Sequence, residues 1–312
     1  MDRREFVKQV GLGLAAGWAA GRLSWPFKAW AGGPEVHLAL LADAHLKDGN
    51  DRRPEALALA RAVAEIRSLS PPPDLVLFAG DLAHRGRPDA LDLGQEILAD
   101  LPAPCWAVRG EGDRGPGGNS AWVRRWGDPW FSRSQRGCQV IGLDTVWRRT
   151  PRGPVFEIGA PQRQWLAREL TLLSPSTPLV ILSHAPLGRI FHPWQQWTGD
   201  APEVARLLGQ FSQALCLHGH VHGAGIWEAG AEYFETNPPD YCRTALLSWL
   251  TQNPKPGTQN HLSLPATAWP RPLAVQGTPA APRPGLGPRG CGWGLISMRD
   301  RAWHIVPNLW RT

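Results

Sequence analysis

Carboxylates and imidazoles recur in this chain directly after short apolar runs. Asp43 and His45 follow the run Glu35–Ala42, Gly80-Asp81 follows Asp74–Ala79, and Gly110-Glu111-Gly112-Asp113 follows Cys105–Val108. Ser183-His184 comes after Leu179–Leu182, and Gly219-His220-Val221-His222 after Ala214–Leu217. Any one of these is common by chance. The His-x-His is more specific, because alternate residues of an extended segment share one face. The order of all of them, each at the end of an apolar run, is not explained by coincidence. A mixture of Asp and His donors at one place suits divalent transition ions that accept both oxygen and nitrogen.

The elements that must position these groups follow from periodicity. The apolar runs are the length of buried strands, and helical spacing of apolar residues fills the intervals at about 54–69, 89–100, 161–173 and 202–211. Gln139–Leu143 reads as a further strand. Beyond residue 223 the pattern changes to short strands, best seen at His261–Ala266, Gly294–Met298 and Trp303–Val306, with a Pro/Gly-rich loop over 251–290. Strand–helix alternation ending in strands predicts an α/β sandwich with two sheets inside and helices outside. In such sheets ligands gather at the carboxyl ends of the strands, where the acids and histidines fall. No break in composition divides residues 32–312, which read as a single domain.

The formal charge is +6 over 312 residues, and residues 1–31 carry five Lys/Arg against two Asp/Glu. The remainder is near balance, and no clustered basic face argues for a nucleic-acid partner. Arg3-Arg4-Glu5-Phe6-Val7-Lys8 resembles a twin-arginine export motif. An apolar stretch from Val10 to Gly21 and a small-x-small site at Ala29-Trp30-Ala31 follow it. Residues 1–31 therefore read as a signal peptide with the twin-arginine translocase as partner. The expected product is periplasmic or extracellular, with no stable membrane anchor after cleavage. Cys105, Cys138 and Cys216 lie in apolar runs and read as buried small side chains, while Cys242 and Cys291 are the candidates for a disulfide.

The order D-x-H, GD, a glycine-bounded GxxD, a strand-end His and GHxH resembles the calcineurin-like metallophosphoesterase superfamily, from Glu35 to about Gly223. Leu264-Pro265-Ala266-Thr267 is similar to a strand that completes the second sheet in many members. The resemblance implies a four-layer αββα sandwich with two mixed β-sheets. It implies two divalent metal ions (Mn, Fe or Zn), with Asp43, His45 and His222 on one, His184 and His220 on the other, and Asp81 shared. It implies hydrolysis of a phosphomonoester or phosphodiester, small or nucleotide-like, by attack of a metal-bridging hydroxide. Two metals about 3.5–4 Å apart can clamp the attacking and leaving oxygens of an in-line displacement.

The third motif departs from the family's Gly-Asn-His-Asp/Glu. Glu111 stands where an Asn donates to the second metal, and Gly112 where a His contacts phosphate. Three readings are open. Glu111 ligates as a carboxylate; or the loop is displaced and Glu111 faces solvent; or the site is degenerate and the protein binds metal without turnover. His84 and His192 are the candidates to replace the missing acid, and Arg189 the candidate to hold the substrate. Arg189 and His192 share the Ala185–Asp200 loop with Trp194 and Trp197. Asp144 reads as a hydrogen-bond anchor, His218 as a core or supporting residue, and His261 and His304 as structural.

Overall fold

The computed structural model describes residues 35–115, 120–150, 153–187, 198–220, 222–228, 245–250, 292–299 and 302–309. Residues 1–31, read above as a signal peptide, Arg189, His192, Trp194, Trp197, Cys242, Cys291 and residues 251–290, with His261–Ala266 among them, lie outside the described residues.

Three parallel strands form one side of the first sheet: β1 (Val36–Leu41), β2 (Leu75–Ala79) and, at the edge, β3 (Cys105–Val108). On the far side of β1 the sheet continues antiparallel through β12 (Gly292–Arg299) and the edge strand β13 (Ala302–Leu309). The second sheet has parallel strands β5 (Cys138–Leu143), β8 (Leu179–Ser183) and β9 (Ala214–Leu217). Strand β4 (Phe131–Gln135) closes one edge of it antiparallel. Strands β11 (Ala245–Leu250) and β10 (His222–Glu228) close the other, β11 parallel to β9 and β10 antiparallel to β11. Both sheets are therefore mixed. The hydrophobic runs of β2 and β8 are continuous, not alternating, because a parallel strand between two packed layers is buried on both faces.

Three apolar layers separate four layers of structure. Between the sheets, Leu38, Leu40, Leu75 and Leu77 meet Val140, Val180, Leu182, Leu215 and Leu217. On the outer face of the first sheet, Ala39, Leu41, Val76 and Phe78 pack on helices α1 (Pro54–Arg67), α2 (Pro88–Leu98) and α3 (Ser120–Trp126). On the outer face of the second, Ile141, Leu179, Ile181 and Cys216 pack on α4 (Gly159–Thr171) and α5 (Ala201–Leu208). The arrangement is the αββα sandwich expected from the sequence. Helix α1 begins at a proline, carries Glu55 in its first turn and Arg67 in its last, and buries Leu59, Val63 and Ile66 at helical spacing. Glu65 of α1 accepts the Trp293 indole N–H at 2.9 Å, which ties the helix to β12. Cys138 and Cys216 are buried and Cys105 is half-buried.

Candidate metal centre

The ends of β1 and β2 stay paired after the strands stop. The N–H groups of Asp43, His45 and Leu46 donate to the carbonyls of Gly80, Asp81 and Leu82 at 2.9, 2.8 and 2.9 Å. Four residues of the cluster take a costly backbone conformation. Asp43, His45, Asp81 and His220 have φ of 57°, 49°, 54° and 69°, in the left-handed region that costs a residue with a Cβ roughly 1–2 kcal/mol. Such strain gathers at functional sites, where the surrounding structure holds it in place.

Both sheets supply the cluster, the first with four residues and the second with two. Asp43 and His45 follow β1, Asp81 follows β2, and Glu111 follows β3, all in the first sheet. His184 and His220 follow β8 and β9 in the second. The two sets are tied directly. The His220 N–H donates to the Asp43 carboxylate at 3.0 and 3.1 Å, and His184 Nδ1–H donates to the Ala79 carbonyl at 2.8 Å. That last bond fixes the His184 tautomer and leaves Nε2 as the ring's donor atom toward the cluster.

There Nε2 lies 2.8 Å from Glu111 Oε2 and 3.5 Å from Asp81 Oδ1, and His220 Nδ1 lies 3.0 Å from Glu111 Oε1. His45 Nδ1 lies 3.6 Å from Asp81 Oδ2. Two sets of donors fall within 4.8 Å of one another: Glu111, His184 and His220; and Asp43, Asp81 and His184. Glu111 thus faces the histidines, with its side chain 34% exposed. His222 opens β10, and its side chain is outside the described residues. His84 is exposed in a single 3-10 turn, His84–Gly86, beside the cluster.

These donors fit a divalent cation on two observations. Glu111 Oε2 and His184 Nε2 are buried and meet each other at 2.8 Å, and His220 Nε2 is buried with no hydrogen-bond partner among the described residues, although buried polar atoms are nearly always paired. The charges are also unbalanced. Burial holds the Asp43 carboxyl well above its usual range, with the neighbouring Asp81 and Glu111 adding to it. Burial alone would lower His184, but Asp81, Glu111 and Asp43 outweigh it and hold the imidazole well above its usual value. Burial would likewise raise Glu111, and His184 and His220 outweigh it and hold it well below. Three carboxyl groups thus crowd one space, compensated among the described residues by two backbone N–H groups and by imidazole protons, and a cation would take the place of those protons.

The loop carrying Glu111 is closed onto Asp81. The Gly112 N–H donates to Asp81 Oδ1 at 2.7 Å. A Cβ on Gly112 would lie 2.9 Å from that oxygen and 3.0 Å from the Ala83 carbonyl, so no side chain fits there without movement. Asp113 pins the loop from below, accepting the N–H groups of Ala83 and Gly110 at 2.8 and 2.9 Å. Burial, then the nearby Asp81, raises its carboxyl to about 7.

Arginines at both ends of the loop grip one acid of the other sheet. Arg109 Nε and Nη2 meet the two oxygens of Asp144 at 2.9 and 2.6 Å, and Arg114 Nη2 meets Oδ1 at 2.6 Å. Asp144 is itself held through its backbone by both ends of the Gln162 amide, and Thr145 Oγ1 accepts the N–H of Ala185, next to His184. Asp144 is therefore an anchor, and what sequence reasoning missed is the pair of arginines it anchors. Their signal was their placement immediately outside Gly110–Asp113. His218 is buried, donates Nδ1–H to the Gly219 carbonyl at 3.0 Å, and is lowered by burial to about 3. Phe156 was also missed. Its ring lies edge-on to His220, with centroids 4.7 Å apart.

The profile of the calcineurin-like phosphoesterase family matches residues 36–224. A probable glycerophosphodiester phosphodiesterase of Arcobacter nitrofigilis is 27% identical over 178 residues, 53% of this chain and 62% of that protein. A cAMP/cGMP dual specificity phosphodiesterase of Mycobacterium tuberculosis is 27% identical over 204 residues, 61% of this chain and 62% of that protein. The chain spans about six tenths of the length of these curated relatives. Among solved structures, a dimetal phosphatase from Danio rerio shares the fold, with a TM-score of 0.57 and 14% identity over 88% of this chain and 99% of that one.

Proposed function

The chain belongs to the calcineurin-like phosphoesterase family, and within it we propose a phosphodiesterase that works with two divalent cations held by Asp43, His45, Asp81, Glu111, His184 and His220. When bound, such a pair supplies Lewis acidity toward phosphate oxygens and a nucleophile at neutral pH. The chain's own residues do the rest. Asp81 sits between His45 on one side and His184 on the other, at 3.6 and 3.5 Å, so one carboxylate can serve both halves. The Gly112 N–H and the His184–Ala79 bond hold two of the donors in fixed orientation, so little reorganisation is left for the reaction itself.

The carboxylate of Glu111, 2.8 Å from His184, is the observation that carries the choice of substrate. It adds a carboxylate, held ionised by the two histidines and partly exposed, beside the buried carboxyls of Asp43 and Asp81. A phosphomonoester reaches neutral pH with a charge of about −1.5 to −2, whereas a diester carries a single negative charge. Repulsion from Glu111 therefore weighs more heavily on the monoester. The names of the two curated relatives also support a diester. Because no side chain fits at Gly112, that position offers no proton to a departing alkoxide, and esters with stable leaving groups should react best.

Hydrolysis of bis-p-nitrophenyl phosphate and p-nitrophenyl phosphate, with and without Mn²⁺, tests this reading. The diester should be cleaved only with metal and at a kcat/KM at least tenfold above the monoester. Cleavage of neither ester by Mn²⁺-loaded protein would favour a metal-retaining binding protein instead.

A further inference from the structure

The hairpin of β6 (Val146–Thr150) and β7 (Gly153–Glu157) runs beside the metal centre. Trp147 stands directly opposite Phe156 in its ladder, and Arg149 stands two residues further along the same strand. Residues directly opposite in an antiparallel pair, and alternate residues of one strand, share a face. Trp147, Arg149 and Phe156 therefore occupy one face of the hairpin. The other face carries Arg148 and Glu157, 3.6 Å apart, and Val155, which packs near Gly199.

Phe156 shows where the first face points, because its buried ring touches His220. Trp147, the cross-strand partner of Phe156, is 43% exposed, an unusual placement for an indole. The guanidinium of Arg149 lies over this ring, 5.7 Å from its centroid, and has no carboxylate partner among the described residues. One face of the hairpin thus carries a buried phenyl ring against His220 and, opposite it in the ladder, an exposed indole with a guanidinium over it.

We propose that Trp147 and Arg149 form a platform for the organic arm of the ester, and that the arm is a planar aromatic group of the nucleobase kind. This rests on the phosphodiesterase reading of the same centre. Any base offers a π-face to an indole, and base–aromatic stacking is worth about 1–3 kcal/mol. The guanidinium adds a planar cation that stacks on an aromatic ring or pairs with an acceptor on its edge. A glycerol or simple alkyl arm gains nothing from such a surface.

Two diesters with the same leaving group isolate the arm: the p-nitrophenyl ester of thymidine 5′-monophosphate and methyl p-nitrophenyl phosphate. The native protein should favour the thymidine ester in kcat/KM, mostly through KM. Trp147→Ala should lower the thymidine-to-methyl ratio by roughly 5- to 140-fold, the stacking range converted at 1.4 kcal/mol per tenfold. Trp147→Phe should keep most of the ratio. An unchanged ratio in Trp147→Ala would overturn the platform. The same surface is read without turnover by equilibrium dialysis of thymidine 5′-monophosphate against ribose 5-phosphate on Mn²⁺-loaded protein. Tighter binding of the nucleotide, lost in Trp147→Ala, supports the platform even if neither ester is cleaved, an outcome that would sink only the phosphodiesterase reading. Equal binding of the two phosphates would sink the platform by itself.

Discussion

At the scale of single residues, Glu111 and Gly112 carry the departure from the family's third motif, and they act together. Without a side chain at 112 the backbone can approach Asp81 closely enough for the N–H to reach Oδ1 at 2.7 Å, and this approach turns Glu111 toward His184 and His220. The loop is thus an alternative packing and not a motif with one donor deleted. Restoring the histidine should fail: Gly112→His should not raise turnover of an unactivated ester. Even Gly112→Ala should destabilise the fold by about 1–3 kcal/mol, the usual range for overpacking, because its Cβ meets the Asp81 carboxylate at 2.9 Å. Urea denaturation checks this, and a loss under about 0.5 kcal/mol, the range of an ordinary surface substitution, would mean that the loop is loose. Glu111→Ala should lose one of two bound Mn²⁺ equivalents, while Glu111→Asn keeps both more weakly. Full retention of both in Glu111→Ala, measured by elemental analysis after dialysis, would remove Glu111 from the donor set.

Between elements, the site depends on the spacing of two sheets, since Asp43, Asp81 and Glu111 belong to one and His184 and His220 to the other. The Arg109–Asp144–Arg114 cluster crosses that gap beside the loop, with the Arg109 and Asp144 side chains only 3% and 2% exposed. Removing one member of a buried ion pair typically costs about 3–5 kcal/mol, because its partner is left buried and uncompensated. Asp144→Ala should therefore lower unfolding free energy by that amount and also weaken Mn²⁺ binding, although Asp144 is not among the donors. A stability loss with unaltered metal affinity would limit the cluster to a purely structural part. The sequence showed the donors well and this scaffold poorly, for a physical reason. Donors sit at strand ends whose apolar runs announce them, whereas an ion pair between residues 35 apart leaves no local pattern. The same holds for the elements. Strands buried on both faces, such as β2 and β8, were legible as apolar runs. The β6–β7 hairpin was not, because Val146–Thr150 is largely exposed and holds two arginines. Helix α3, of seven residues, is too short to display a period.

Over the whole molecule, the sandwich explains why the centre lies where it does. Parallel strands of both sheets end at the same place, and the apolar layer between the sheets, from Leu38 to Leu217, holds those ends at fixed separation. Helices on both outer faces bury the remaining sides, so the donor atoms lie at the rim of apolar layers. The central claim is that this rim holds two divalent cations around a shared Asp81. Titration of Mn²⁺ into metal-free protein by calorimetry tests it most directly, with the native chain and Asp81→Asn compared at one pH. The native chain should take up two equivalents, and Asp81→Asn should lose high-affinity binding at both sites. One equivalent or none in the native chain, or two unweakened equivalents in Asp81→Asn, would contradict the account.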